Sequence, residues 1–376
     1  MEAEAPLPEA ALSGAALDDL RALVERPGPF ASVYLLLEPE EVDAPERLDV
    51  RWRHVRDALV EAGTPSEVVD AVDEAVQGAS GHGGRTLVVL APSAGDPFVA
   101  ELALPARGEL ARWAPLPLLG PVLADRQAAV PHVVVRIDRT GADVVGVVGE
   151  EAVEEAEVEG DSYPIHRSSP GGWSQRRFQQ RAESSWAENA AEVAEVVAAM
   201  AGRVDASFVA VAGDVRASTM LREALPPEVA AVVQEVRGSR HADGSDDLTD
   251  DEVLRLVATA GAATTTALLR EASAELAREG RAVSGPDDVL AALAAGQVAV
   301  LLVHEDVDDD RAAWFGPEPM QVGATADVVQ AMGVADPQRG RLLDVAVRAA
   351  LGSGASIQVV PDAAHDAMAA LLRWTI

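Results

Sequence analysis

The sequence predicts an α/β (α+β) protein of three domains, each a mixed sheet with packed helices. The chain has 376 residues, and at roughly 100–200 residues per domain this length suggests two to three domains. Apolar runs of strand length alternate with helical patterns along most of the chain, which is typical of α/β layers. Hydrophobic residues make up 48% of the chain but aromatic residues only 3%. We therefore expect cores of valine, leucine and alanine.

An N-terminal α/β domain is predicted over residues 1–127. Its end is indicated by a proline cluster over residues 115–121, and residues 64–67 (TPSE) match the capping box that opens many helices. Periodicity and flanking turn residues predict the elements within it. The predicted helices cover residues 17–26, 47–62 and 65–76, and the predicted strands cover residues 30–38, 85–91 and 98–104.

A central domain is predicted over residues 128–240, and it opens with a hairpin. Two alternating apolar runs flank a Thr140-Gly141 turn, and an acidic stretch over residues 150–161 leads into a polar loop. The remaining pattern alternates between helix and strand, as α/β layers do. The predicted strands cover residues 132–138, 142–148, 207–212 and 230–236, and the predicted helices cover residues 174–200 and 215–224.

A C-terminal α/β sandwich domain is predicted over residues 248–376, after a polar linker. Residues 249–252 (TDDE) form a second capping-box pattern, which predicts a helix to about residue 279. Further apolar runs predict the rest of the domain. The predicted helices cover residues 287–295, 342–351 and 363–373, and the predicted strands cover residues 297–304 and 356–360.

Composition excludes several kinds of chemistry. The chain contains no cysteine and no lysine, which excludes disulfides, thiolate metal sites, cysteine nucleophiles and Schiff-base lysines. Its seven histidines form no close pair, so we expect no metal and no cofactor. The N-terminus lacks signal-peptide features, and no uncharged apolar run reaches about 18 residues. We therefore expect no membrane span and a cytoplasmic location.

The formal net charge is −32, which argues against DNA binding and against general coating of nucleic acids, because phosphates would be repelled. A local basic contact remains compatible with this charge, since charges more than about 8–10 Å away are screened at physiological salt. An acidic, solubilising surface is the simplest interpretation of the charge itself.

One segment, residues 162–182, departs from the acidic character of the chain and contains no Asp or Glu. Guanidinium groups suit phosphate contacts, and a loop tryptophan can stack on a base, so this segment is the candidate RNA-binding site. The alternative is a flexible surface loop before an ordinary amphipathic helix. The candidate RNA-binding residues are Arg167, Gly171, Gly172, Trp173, Ser174, Arg176, Arg177 and Arg181.

The Gly-Gly tip, the basic helix and the preceding hairpin resemble the central domain of the Pelota and class-one release-factor superfamily. In the archaeal and eukaryotic class-one release factors of that superfamily, a Gly-Gly-Gln tip enters the peptidyl transferase centre. The segment is most similar to a bacterial branch of release-factor-like proteins that includes relatives of the hibernation factor Balon. Residues 289–303 and 351–374 resemble two patterns of the superfamily's C-terminal domain. The resemblance covers about residues 130–376 and implies a Pelota-like architecture.

The resemblance implies a ribosome-binding factor, with the tip near rRNA of the A site and the peptidyl transferase centre. It also implies that the first domain lies toward the decoding centre and that the third faces the stalk base or a translational GTPase, with elongation factor Tu as the implied partner. Codon reading is not expected, because the family's decoding elements contain lysine and cysteine. Trp173 stands where a release factor has its catalytic glutamine, which favours a hibernation factor that occupies the A site.

Two alternatives remain open. Gln175 lies two residues after Trp173, a spacing similar to that of peptidyl-tRNA-cleaving relatives. Gln175 is therefore a candidate catalytic residue that orients a water near the ester of peptidyl-tRNA, in a hydrolase that rescues ribosomes. The other alternative is a stress-linked adaptor protein without rRNA contact.

Overall fold

The computed structural model describes residues 7–8, 12–37, 44–78, 84–103, 108–149, 151–159, 174–240, 246–361 and 368–374. Of these, residues 44–47, 49, 151, 174–187 and 246–247 are described as backbone only. The chain divides into two compact units, residues 1–127 with 263–376 and residues 128–262. The predicted α/β class is confirmed, since helices pack on sheets in both units. No helix in the described ranges is long and apolar enough to cross a membrane.

The first 127 residues form an antiparallel sheet of order β3-β2-β1-β4. Helices α2 and α3 cover one face of this sheet through a core around Trp52, Leu59 and Val72. The predicted strand 98–104 is shorter than expected, and β4 and α4 were not predicted. The elements are α1 (Asp18–Val24), β1 (Phe30–Leu36), α2 (Ala44–Glu61), α3 (Ser66–Gly78), β2 (Thr86–Pro92), β3 (Phe98–Leu102), β4 (Leu110–Ala114) and α4 (Gly120–Ala128).

Residues 128–262 form a mixed five-stranded sheet of order β7-β6-β5-β8-β9. Strands β5, β8 and β9 are parallel, while β6 and β7 add an antiparallel meander that includes the predicted hairpin. The acidic stretch after the hairpin is itself an edge strand, β7. The elements are β5 (His132–Ile137), β6 (Gly141–Val148), β7 (Glu151–Glu159), α5 (Ser174–Val204), β8 (Phe208–Gly213), α6 (Val215–Ala224), α7 (Pro227–Ala231) and β9 (Val233–Val236).

The remaining residues begin with a long helix, α8 (Asp246–Ala277), which contains the boundary between the two units. A mixed sheet of order β10-β16-β11-β15 and a small antiparallel sheet of order β13-β12-β14 follow it. The elements are β10 (Ala282–Ser284), α9 (Pro286–Ala294), β11 (Val298–His304), β12 (Ala312–Phe315), β13 (Val322–Gly323), α10 (Ala326–Ala331), β14 (Gln338–Arg341), α11 (Leu342–Ser353), β15 (Ser356–Val360) and β16 (Met368–Leu372).

A single hydrophobic core joins the first 127 residues to the segment after residue 263. The face of the N-terminal sheet that α2 and α3 leave uncovered packs into this core, together with α9, α11 and β11. Burial of this extent makes the two segments one packing unit, because separating them would expose large apolar side chains to water. The core includes Phe30, Tyr34, Val88, Leu90 and Leu118 from the first segment and Leu293, Leu301, Val345 and Ile357 from the second.

The predicted closing helix over residues 363–373 is wrong. Met368–Leu372 is strand β16, which lies between β10 and β11, and all five of its residues are buried. A strand that is buried on both faces shows no alternation of apolar and polar residues. A short apolar run therefore fits helix and strand equally well, and periodicity alone cannot separate them.

Neither predicted capping box forms. The hydroxyl of Thr64 is buried and has no hydrogen-bond partner within the described part of the chain. Thr249 lies inside α8 and donates a hydrogen bond to the carbonyl oxygen of Arg237 at 2.9 Å. Glu252 accepts a hydrogen bond from the backbone N–H of Arg237 at 2.6 Å. The Thr-x-x-Glu pattern thus fastens α8 to the segment that follows β9 rather than opening the helix.

A buried ion pair lies near the core of the first unit. Nη1 of Arg341 is 3.1 Å from Oδ1 of Asp344, and both side chains are at most 6% exposed. Arg341 also donates to the carbonyl oxygens of Asp306 and Asp309, which holds the loop after β11 in place. Burial raises the pKa of Asp344 to about 7, although the positive charge of Arg341 opposes this shift.

We predict that Asp344→Asn changes how stability depends on pH. A carboxyl whose pKa is raised on folding stabilises the fold fully below its unfolded pKa, near 4, and that contribution is lost as pH rises through about 7. The variant cannot ionise here. The wild type should therefore lose stability relative to the variant between pH 4 and 7, by at most about 1.4 kcal/mol per pH unit. Urea unfolding of both proteins at several pH values measures this difference, and parallel curves would contradict the prediction.

Candidate functional site

The predicted site lies after β7 and includes the first turns of α5, in the segment that we call the tip (residues 162–182). Four of the predicted residues fall outside the described residues, and the other predicted residues lie on the first turns of α5, described as backbone. Those outside are Arg167, Gly171, Gly172 and Trp173. Those on α5 are Ser174, Gln175, Arg176, Arg177 and Arg181. The helix predicted to begin at residue 174 is confirmed, since α5 begins at Ser174.

The C-terminal half of α5 is fixed to the sheet. Val193, Val197 and Met200 are buried in the core between α5 and strands β5 and β6. A methyl group added at Gly146 would lie 3.1 Å from Cγ of Met200, so the glycine allows the helix to approach β6 closely. The anchored part of α5 is therefore held by side-chain packing along several turns.

The N-terminal half of α5 extends past the edge of the sheet. The helix runs antiparallel to β5, and Asn189 donates a hydrogen bond to the carbonyl oxygen of Arg139, in the β5–β6 turn, at 3.4 Å. Residue 189 is therefore level with the carboxyl end of β5. Helical backbone continues for 15 further residues, from 188 back to 174. At 1.5 Å per residue, α5 begins roughly 22 Å beyond that edge.

The turn below the tip is held by Asp138 and Asp214. Oδ1 of Asp138 accepts hydrogen bonds from the backbone N–H and the hydroxyl of Thr140, both at 2.7 Å. Asp214 caps α6 and pairs with Arg139 at 3.0 Å. Burial would raise the pKa of each carboxyl, but these hydrogen bonds outweigh it and lower both pKa values. The two carboxylates therefore stay ionised and stabilise the turn, and neither is suited to act as a general base.

Arg240 ties the segment after β9 to the strands that lead into the tip. Its guanidinium lies 3.0 Å from Asp143 on β6, 3.1 Å from Glu157 on β7 and 3.8 Å from Asp138. The Arg240 side chain is only 12% exposed, so these pairs are less screened than ordinary surface pairs. Arg240 was not predicted as a site residue, because its three partners are distant in sequence and no motif connects them.

A small cavity lies in the described part of this site. A cavity of about 10 Å³ lies between the β5–β6 turn, α5 and α6, and is lined by Asp138, Asn189 and Arg216 among others. That volume holds about one water molecule. In the described ranges no group of three or more His, Asp or Glu side chains is placed to hold a metal ion.

Comparison with known proteins identifies the family. Residues 131–278 match the family described as bacterial archaeo-eukaryotic release factor family 2. Two proteins of Mycobacterium tuberculosis, MT2704 of strain CDC 1551 and Rv2629 of strain H37Rv, are each 30% identical over 372 residues. Each alignment covers 94% of this chain and 96% of the relative. The chain belongs to bacterial archaeo-eukaryotic release factor family 2. The tip described above lies within the matched region.

Solved structures of similar proteins include archaeal members of the release-factor superfamily. Archaeoglobus fulgidus Pelota is 15% identical, covers 98% of this chain and 94% of its own, and has a TM-score of 0.35. A ribosome-bound archaeal Pelota with ABCE1 is 15% identical, with coverage of 97% and 96% and a TM-score of 0.37. Because both scores are below 0.5, assignment to release factor family 2 rests on the sequence matches alone.

We predict that Arg240→Ala loosens the base of the tip. Removal of the guanidinium leaves three carboxylates close together, so β6 and β7 should lose roughly 1–2 kcal/mol of local stability. Arg203→Ala is the matched control, because Arg203 pairs with Glu154 on β7 while its own side chain is 52% exposed. Hydrogen exchange of β6 and β7 amides measures both variants. Equal loss of protection in the two would contradict the prediction.

Proposed function

We propose that this protein is a ribosome-associated translation factor that contacts rRNA through the tip. The observation that carries the proposal is a segment of 21 residues without Asp or Glu, in a chain of net charge −32. Its four arginines include three near the start of α5, which the helical rise places roughly 12–20 Å beyond the sheet edge. A projecting basic tip can reach RNA phosphates while the acidic body stays at a distance where its charge is screened.

The proposed roles divide the tip between phosphate contact and stacking. Arg167, Arg176, Arg177 and Arg181 would bind phosphate oxygens, which planar guanidinium groups do well. The helix N-terminus adds favourable backbone N–H groups and a positive dipole end for the same phosphates. Trp173 would stack on a base, an interaction that tolerates any sequence.

Occupancy of an idle ribosome is the specific role that we favour. Trp173 replaces the glutamine with which release factors position a water, so the tip lacks that hydrolytic group at that position. Membership in family 2 and the similarity of the tip to relatives of Balon support a hibernation factor that reaches from the A site toward the peptidyl transferase centre. Under this proposal elongation factor Tu is the candidate protein partner.

Replacement of Arg176 and Arg177 by glutamate tests the ribosomal contact. In co-pelleting with vacant ribosomes at physiological salt, we expect the double variant to bind at least about tenfold more weakly. Each substitution removes a phosphate contact and also replaces a positive charge with a negative one. The matched control is Arg203→Glu with Arg222→Glu, which makes the same charge change elsewhere in the same unit.

Equal losses in the tip variant and the control would show a general charge effect and would contradict the proposal. Failure of the wild type to pellet, with and without elongation factor Tu, would exclude ribosome binding under these conditions. It would then favour an adaptor that does not touch rRNA.

A peptidyl-tRNA hydrolase is the alternative function, and the place of Gln175 on the first turn of α5 favours it. A side chain there would lie close to the Gly-Gly tip and could orient a water at the peptidyl-tRNA ester. Under the occupancy proposal we expect no hydrolysis of ribosome-bound peptidyl-tRNA above background. Hydrolysis by the wild type that falls at least about a hundredfold in Gln175→Ala would establish the alternative.

A further inference from the structure

A cleft of about 680 Å³ opens in the unit formed by residues 1–127 and 263–376. Its walls come from the end of α1, the loop after β12 and one side of α11. This volume lies within the roughly 300–1,000 Å³ that is usual for small-molecule sites. Because proline has a fixed φ angle, walls rich in proline are rigid before a ligand arrives. The prolines of the lining are Pro27, Pro115, Pro317 and Pro319.

Arg348 lies at the floor of this cleft and is only 7% exposed. Its guanidinium donates hydrogen bonds to the carbonyl oxygens of Pro317 and Glu318, and its Cζ lies 5.3 Å from the centre of the Phe315 ring. These contacts orient the group but do not neutralise it. Within the described ranges no carboxylate oxygen lies within 4.0 Å of the Arg348 guanidinium.

Other buried arginines of the same unit do have a carboxylate partner. Arg341 lies 3.1 Å from Asp344, and Arg281 lies 3.7 Å from Glu275. A buried charge without a counter-ion is costly, since it loses hydration and gains no ionic partner. Burial accordingly lowers the pKa of Arg348. The negative charge of the Glu318 carboxylate acts in the opposite direction and raises this pKa. Arg348 is thus the buried cation of this unit that a ligand anion would stabilise.

The charges of the cleft are arranged by depth. Three carboxylates, those of Glu25, Glu318 and Asp336, belong to exposed residues of the lining. Solvent screens these rim charges more than it screens a charge at the floor. Two further cations belong to the lining: the half-buried Arg21, which pairs with Asp18 and donates to the carbonyl oxygen of Leu351 at 3.3 Å, and the exposed Arg26. The floor is therefore electropositive within an acidic rim.

We propose that this cleft binds a small organic anion whose carboxylate or phosphate group pairs with Arg348. The anion supplies the counter-charge that the chain lacks at this position, and the rest of the ligand lies against the proline walls and Leu116. The cleft and the tip belong to different units and share no residue. A ribosome-binding role neither requires nor excludes anion binding in the cleft.

Isothermal titration of the full chain with inorganic pyrophosphate and, separately, with citrate tests the proposal at constant ionic strength. We expect saturable one-to-one binding of at least one anion, and at least about tenfold weaker binding in Arg348→Gln. Arg348→Lys keeps the charge and should lose less. Asp336→Asn removes a rim carboxylate and should strengthen binding by roughly two- to threefold. Arg203→Gln, the matched charge control outside the cleft, should leave binding unchanged.

Preference for pyrophosphate or citrate identifies the anionic group. No saturable binding of either anion up to about 10 mM overturns the proposal, as does an equal affinity in the wild type and Arg348→Gln. If circular dichroism shows that Arg348→Gln does not fold, Arg348→Lys and Asp336→Asn decide the question. Wild-type affinity in both of these variants would also overturn it.

Discussion

The close packing of α5 on the β5–β6 hairpin is the contact on which the candidate site depends. Gly146 permits Met200 to lie against β6, and Asn189 fixes the helix at the carboxyl end of β5. Because one continuous helix is anchored at one end, its other end is carried past the sheet edge. A rigid element places the tip more reproducibly than a loop of the same length would.

Distribution of charge reconciles an acidic chain with an RNA partner. Arginines of the protein body are largely committed to carboxylates, as Arg240 is to three of them, whereas the tip sequence contains arginines without acidic neighbours. Arg348 represents a second departure, a buried cation that faces a cleft. Each proposed site thus contains arginine without a nearby carboxylate. At the tip, residues 162–182 contain no Asp or Glu. At Arg348, the described contacts include no carboxylate.

Sequence patterns predicted several elements whose ends carry turn residues. Val215–Ala224 and Ser356–Val360 match the predicted bounds. The strand Met368–Leu372 was mistaken for helix because tertiary burial on both faces erased its alternation. The shared core of the first unit and the Arg348 cleft join residues more than 200 positions apart, and a single sequence carries no signal for such pairs. The composition of the tip was visible in sequence, but its projection required the register of α5 on the sheet.

Directed cleavage of rRNA tests the central claim most directly. Because the chain has no cysteine, Ser169→Cys provides a unique attachment point for an iron chelate at the tip, and Ser273→Cys provides a control on the exposed side of α8. The account predicts that iron at residue 169 cleaves rRNA of the peptidyl transferase centre, whereas iron at residue 273 does not. Cleavage of the same sites from both positions, or no cleavage from residue 169 in ribosomes that retain the protein, would contradict it.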